Sequence, residues 1–329
     1  MGVIGAGGLG QHHIRILRDL QGADFAGFYD LRAERATQRS TELGVRAFPS
    51  LDALLDVVDA VTIVVPTPAH FAVAEQVLAR GIHALIEKPI ATSLDEADAM
   101  LRLAVQHGAL IQIGHVERFN RAVRAALPHV DAPRFIESNR LAPFNPRGSD
   151  VAVVLDLMIH DIDLVQTLVG GKPTAVTAVG VPVLTPFVDI ANARLTFDTG
   201  AVANITASRV SRERMRKLRI FQQSGYLSLD LGAGRGEFFR LRGDVDVAAL
   251  AMAPLALEQF VERIPLEGDE GDALQLELES FLAAVRGESP IAVSGQAGRE
   301  ALAVALRIVA DIERSLPALA GGAPLRSRA

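Results

Sequence analysis

The stretch Gly5-Ala6-Gly7-Gly8-Leu9-Gly10 decides the fold. It follows the apolar run Val3-Ile4 and opens into Gln11-His12-His13-Ile14-Arg15-Ile16-Leu17. This reads as strand, glycine turn, helix. Glycines at 5, 7 and 10 suit a dinucleotide. The first allows a tight turn, the second lets backbone approach a pyrophosphate, and the third lets the helix pack on the strand. Gly8 and Leu9 complete the cradle, and the helix start adds unsatisfied N–H groups and the positive end of its dipole. Alone the loop is a weak signal, because such turns occur for ordinary backbone reasons. A second apolar run, Phe25–Tyr29, ends in Asp30, about 20 residues after Gly10, where an acid bonds the adenosine ribose and repels a 2′-phosphate. NAD is therefore the expected cofactor. Arg32 lies close enough to keep NADP as the less favoured alternative. A tight turn plus a surface Asp is the non-functional reading.

Outward from the loop, apolar runs alternate with helical patterns as far as residue 115. Strands are expected at Val45–Phe48, Ala60–Val65, Ile82–Ile86 and Ala109–Ile113. Helices are expected at Arg32–Leu43, Leu51–Asp56, Ala69–Arg80 and Leu94–Gln106, with Ser50 and Ser93 as caps. That alternation predicts a doubly wound parallel sheet. The period then changes. Helices are expected at Glu117–Leu127 and Asp150–Val169, and a strand at Arg134–Leu141. Six strands in succession follow between Ala175 and Leu241, then a looser segment 244–271 and helices Asp272–Val285 and Gly295–Ser315. Consecutive strands without intervening helices mean an antiparallel sheet. The expected fold is an α/β Rossmann domain, 1–116, followed by an α+β domain with a large open, mainly antiparallel sheet, 117–316, and a mobile tail, 317–329. Only Met1–Ile4 precede the loop, so either the natural start lies a few residues upstream or the first strand is frayed.

The chain has 329 residues, 49% hydrophobic and 22% charged, with a formal charge of −6. Two domains with ample core fit these numbers. The acidic balance argues against nucleic acid as a partner. Cysteine is absent, which excludes disulfides and thiolate chemistry and suits a reducing cytoplasm. No signal peptide or membrane-length apolar run is apparent, so a cytoplasmic protein without membrane contact is expected. The histidines lack ligand spacing, and no metal site is expected.

Three clusters carry chemistry. Thr67 and Glu87-Lys88 follow expected parallel strands, whose carboxyl ends face ligands. Pro66 and Pro68 fix the backbone beneath a flat ligand, and His70 begins the next helix. Lys88 reads equally as a catalytic group or a solvated loop charge. Asp156, His160 and Asp163, spaced i, i+4, i+7 on a mostly apolar helix, share a face. Either His160 is a satisfied core histidine, or Asp156 orients it as a general base. The segment Gly114–Asn120 is a hinge with a capped helix, or it turns Arg118 and Asn120 toward an anionic or sugar ligand.

Taken together, Gly5-x-Gly7-x-x-Gly10-x-x-His13, Asp30, Pro66-Thr67-Pro68-x-His70, Glu87-Lys88-Pro89 and Asp156-x-x-x-His160 resemble the Gfo/Idh/MocA oxidoreductase family over essentially the full length. The resemblance implies a catalytic pair Lys88 and His160, with Asp156 in support. It also implies cofactor contacts from Gly5, Gly7, Gly8, Leu9, Gly10, Asp30, Arg32, Pro66, Thr67, His70, Glu87 and Lys88, and an open sheet used for a homodimer or homotetramer. Segments 114–120, 156–163 and 216–222 look like the subgroup that oxidises the 3-hydroxyl of UDP-N-acetylglucosamine, whose product a transaminase converts to a 3-amine for lipid A. That implies a nucleotide-sugar substrate contacted by His115, Arg118, Asn120 and Asp163. Arg121 departs from the proline frequent there in the subgroup. A polyol dehydrogenase or a non-catalytic NAD sensor are the alternatives, and the acid–base residues argue against the sensor.

Overall fold

The computed structural model describes residues 1–146, 148–243 and 260–315. The expected tail 317–329 and the 244–259 portion of the looser segment lie outside the described residues. The chain forms two units, Met1–Val116 with Asp272–Ala303, and Glu117–Gly271 with the chain from Val304 onward.

In the first unit, β1 (Gly2–Ile4), β2 (Gly27–Tyr29), β3 (Ala60–Ile63), β4 (His83–Glu87) and β5 (Ile111–Gly114) make an all-parallel sheet, ordered β2-β1-β3-β4-β5. Helices α1 (Gly10–Asp19), α2 (Ala33–Leu43), α3 (Leu51–Leu55), α4 (His70–Leu78) and α5 (Leu94–His107) are interspersed with the strands. Every residue of β3 is buried, as a continuous β-branched run demands when both sheet faces are covered. Ser50 and Ser93 cap α3 and α5 through their hydroxyls. The order reverses between β1 and β3, so the ligand-binding crevice of such a sheet lies at their carboxyl ends, where the Gly5 loop and Pro66-Thr67 emerge.

Three expectations change here. Val45–Phe48 is not a full strand: a single parallel bridge joins Phe28 to Ala47, and Pro49 has no N–H to extend the ladder. β1 is short but not frayed. It is paired on both sides, and Met1 is buried. Asp272–Ala303 groups with the first unit rather than with residues 117–316. The helix Ala273–Val285, capped by Asp272, lays Leu278, Phe281 and Leu282 into one core with Val3, Ile14, Leu17 and Phe28.

The second unit is built on an eight-stranded sheet of β6 (Phe135–Leu141), β7 (Pro173–Val181), β8 (Ile190–Phe197), β9 (Val202–Ser208), β10 (Met215–Gln222), β11 (Gly225–Asp230), β12 (Arg235–Leu241) and β13 (Val261–Glu267). Their order is β13-β12-β11-β10-β6-β9-β8-β7. All neighbours are antiparallel except β6 and β9. β13 falls inside the segment expected to be loose. It is an edge strand, the position in which its Pro265 is tolerated. One sheet face buries Ile136, Ser138, Arg140, Ile205, Leu218 and Ile220. The other carries half-buried Phe135, Phe221, Tyr226 and Phe239 in a stacked row with centroids 5.6, 5.4 and 4.8 Å apart.

Two expected helices are broken. Glu117–Leu127 is a 3-10 turn, Val116–Phe119, followed by α6 (Arg121–Ala126). The long helix Asp150–Val169 is a π segment, Val154–Met158, running into α7 (Ile159–Val169). The Ile159 N–H reaches the Val154 carbonyl, the i→i+5 bond of a π turn. Asp156 therefore sits in the π turn and His160 on the α-helix after it, so the regular α-helical spacing does not hold between them.

Candidate functional site

In the first unit the glycine loop is closed at two points and open at the third. Gly5 has φ +98°, and a Cβ there would run into the Val64 carbonyl, as one on Gly10 would into the Gly5 carbonyl. A Cβ on Gly7 would meet nothing within 4 Å. Backbone accessible at Gly7, beside the start of α1, is the shape a pyrophosphate needs, so these residues fit a dinucleotide.

Asp30, at the end of β2, is buried and fully engaged. Oδ2 accepts the Ala6 N–H at 2.7 Å and Arg35 Nε at 2.8 Å. Oδ1 accepts the Arg32 N–H and Arg35 Nη2, both at 2.8 Å. Burial opposes the charge, but Arg35 and the two amides outweigh it and hold the carboxyl below the ordinary Asp range. Four donors fill the four acceptor positions of a carboxylate. Arg35 thus occupies the place expected for a ribose hydroxyl. Sequence reading missed it, although a cation in a helix's first turn opposes the dipole and hints at an anionic partner. The Arg32 side chain is exposed; only its backbone N–H meets Asp30.

The other expected cofactor residues divide. Pro66 is exposed and Thr67 half-buried in a 3-10 turn after β3. His70 is buried, with Nδ1 2.9 Å from the Pro89 carbonyl and Nε2 3.0 Å from the Val65 carbonyl. Burial pushes its pKa below the ordinary histidine value, against the pull of those carbonyls. Each ring nitrogen faces a backbone carbonyl and the neutral ring donates its single N–H to one of them, so His70 ties the loops after β3 and β4 together. Glu87 also turns inward. Its Oε1 lies 3.2 Å from Nε2 of buried His13, and Gly114 leaves room for its carboxylate. Burial opposes ionisation, but His13 and Lys88 outweigh it and hold Glu87 below the ordinary range. Lys88 itself is half-buried, before a cis Pro89.

In the second unit Asp156 and His160 are half-buried. Gly148, at φ +76°, lies against the Asp156 carboxylate: a Cβ there would be 2.7 Å from Oδ2. The expected substrate contacts are used differently. Asn120 caps α6 by accepting the Ala122 N–H at 3.0 Å, and its amide donates to Glu117 at 3.0 Å and the Leu231 carbonyl at 2.9 Å. It serves as the cap of α6. Arg118 forks onto buried Asp163 at 2.8 and 2.6 Å, so Asp163 is committed to that pair. His115, in the first unit, is buried.

Sequence reading also missed a buried ionic group. Arg140 binds Asp161 through Nε at 2.5 Å and Nη2 at 3.3 Å, and Glu117 through Nη1 at 2.8 Å. Ser138 adds a bond to Asp161 at 2.7 Å. Burial opposes the Arg140 charge, but Asp161 and Glu117 outweigh it and hold the guanidinium pKa above its ordinary value. Among the described residues no cluster of potential metal ligands occurs, and no helix is long and apolar enough to cross a membrane.

Comparison with known proteins bears on both units. Residues 1–115 match the family model for the oxidoreductase family with NAD-binding Rossmann fold, and residues 101–228 match the GFO/IDH/MocA C-terminal domain. The chain is 42% identical to UDP-N-acetylglucosamine 3-dehydrogenase of Acidithiobacillus ferrooxidans, over 96% of this chain and 97% of that one. A solved structure of that enzyme, GnnA, superposes with a TM-score of 0.86 at 41% identity, covering 95% of this chain and 97% of that one. The scyllo-inositol 2-dehydrogenase (NAD(+)) of Bacillus subtilis is 29% identical over 64% of this chain and 67% of that one. By fold, by both domain matches and by similarity along its length, this chain belongs to the Gfo/Idh/MocA family of NAD-binding oxidoreductases.

Proposed function

We propose that this protein oxidises the 3-hydroxyl of UDP-N-acetylglucosamine to the 3-keto sugar nucleotide with NAD. The observation that carries the reading is the 42% identity to a UDP-N-acetylglucosamine 3-dehydrogenase across 96% of the chain. Inositol dehydrogenases among the relatives are more distant. NAD, when bound, supplies the hydride acceptor. The loop Gly5–Gly10 and the amides at the start of α1 hold its phosphates, and Asp30 meets its adenosine ribose where Arg35 yields an acceptor position. His160 accepts the proton of the sugar hydroxyl at a ring nitrogen, with Asp156 fixing its tautomer and orientation. Lys88 donates a hydrogen bond to the same oxygen and stabilises the negative charge that develops as the proton leaves. Arg118, paired with Asp163, is the cation assigned to an anionic substrate group.

The open sheet face, with its aromatic row, is the surface we assign to pairing with a second copy of the chain as a dimer or tetramer. The cytoplasm, where nucleotide sugars are made, is the assigned compartment. The test is incubation with NAD and a panel of UDP-N-acetylglucosamine, other UDP-sugars and myo-inositol, read by NADH absorbance and product mass. UDP-N-acetylglucosamine should yield a product two hydrogens lighter. Lys88→Ala and His160→Ala should each lose most turnover while still binding NAD. An unchanged mass with another panel member consumed would overturn the substrate.

A further inference from the structure

One buried cation outside the groups already assigned stands next to the π segment. Arg209 follows β9 and is 3% exposed. Its Nη1 donates to the Gly148 carbonyl, and its Nη2 to the Val151 carbonyl at 2.5 Å. Nε lies 3.6 Å from Oδ1 of Asp189. Asp189 is fully buried and already anchored. Its Oδ2 accepts the N–H groups of Val183, Leu184 and Thr185 at 2.8, 2.7 and 2.8 Å, and Oδ1 accepts the Thr185 hydroxyl at 2.8 Å. Backbone bonds tie the same region: the Arg209 N–H to the Asp189 carbonyl at 2.9 Å, and the Val153 N–H to the Val188 carbonyl at 2.8 Å. Arg209 therefore joins the adjoining ends of β8 and β9 to the turn that precedes Val154–Met158. That turn carries Gly148, the residue lying against Asp156. Burial lowers the Arg209 pKa, and Asp156 is the foremost of the acids, with Asp189 and Asp150, that counter this.

We infer that Arg209 is a positioning residue: its guanidinium pins the turn 148–151 over the π segment and so fixes the Asp156 carboxylate that orients His160. The inference rests on the roles proposed for Asp156 and His160. A guanidinium suits the task because its planar fork satisfies two carbonyls at once while facing carboxylates, which an ammonium on a flexible stem does less well. Gly148 is required on the other side, since any side chain at that φ is strained and would press on Asp156.

The test uses the full-length protein with two independent perturbations, Arg209→Met and Gly148→Ala, and the conservative Arg209→Lys. For Arg209→Met, kcat should fall on the order of 100-fold, the scale of a misplaced reacting group, with the KM for NAD unchanged. Arg209→Lys should recover part of the loss. Gly148→Ala should reproduce the kcat loss with the cation intact, and it decides the matter if Arg209→Met does not fold. Hydrogen exchange without substrate should quicken over 148–158 and stay unchanged across β6 and β8–β10. Wild-type kcat in a folded Arg209→Met or Gly148→Ala protein would overturn the inference, as would exchange that is unchanged over 148–158 or faster throughout the unit. If the unaltered protein turns over no nucleotide sugar, the proposed function fails, and exchange over 148–158 still decides whether the clamp exists.

Discussion

Replacing Arg140 by Met keeps much of the side-chain volume and removes one charge from the centre of the second unit. Three hydrogen bonds go with it, at 2.5, 2.8 and 3.3 Å, and two carboxylates at 1% and 6% exposure lose their cation. Breaking a buried pair by deleting one partner costs about 3–5 kcal/mol, because the remaining charge stays desolvated. Asp161 keeps only the Ser138 hydroxyl among these partners, and Glu117 keeps Asn120 and a looser Arg216 contact at 3.6 Å. The loss should therefore sit toward the upper end. In a unit of this size that lowers Tm by roughly 10–20 °C. Glu117→Gln is the milder partner change. Arg140 keeps Asp161, and the loss should be about 1–2 kcal/mol. Scanning calorimetry of both single variants and the double variant supplies the coupling. The double variant should be less destabilised than the two singles added together, since removing both charges leaves fewer unpaired groups. An Arg140→Met protein within about 1 kcal/mol of wild type would refute the view that this group is a single desolvated unit.

Other outcomes follow from the first unit. Gly7→Ala should leave Tm unchanged, because the new methyl group meets no protein atom within 4 Å, yet raise the Kd for NAD measured by calorimetric titration. A destabilised variant with unaltered NAD affinity would count against the phosphate role. Arg35→Ala should lower the KM for NAD severalfold, about 1 kcal/mol, by freeing two acceptor positions on Asp30; a higher KM would mean that Arg35 supports the cofactor. Asp30 is more acidic folded than unfolded, so its contribution to stability is present above the ordinary Asp value and disappears as pH falls through the lowered folded value. The stability difference between wild type and Asp30→Asn should accordingly shrink on acidification below about pH 4, followed by thermal melts. A difference that grows there would reverse the sign and the assignment.

The parallel sheet was legible because its signals are local. Gly5–Gly10, the β-branched run of β3 and the Ser50 and Ser93 caps each declare themselves within a few residues. The second unit was legible only in outline. β13 hid behind Pro265, which argues against a strand until its edge position is known. The π turn at Asp156 was invisible, since its sequence is as apolar as that of an α-helix and nothing local marks one inserted residue. Asn120 did carry a readable signal, an Asn directly before a helix. The capped-helix reading of Gly114–Asn120 accommodates that use. Arg140, Asp161 and Glu117 come from a strand, a helix and a 3-10 turn, and Arg209 meets its partners from 58 and 61 positions away. No spacing rule brings such residues together; only the folded sheet does.

The most direct test of the central claim is the fate of the hydrogen on carbon 3 of the sugar. UDP-N-acetylglucosamine deuterated at that carbon should transfer its deuterium to NAD, giving labelled NADH and an unlabelled 3-keto product in equal amounts, with turnover slowed if hydride transfer limits the rate. Unlabelled NADH formed while the deuterium stays in the sugar would contradict it, since hydride would then have left from another carbon.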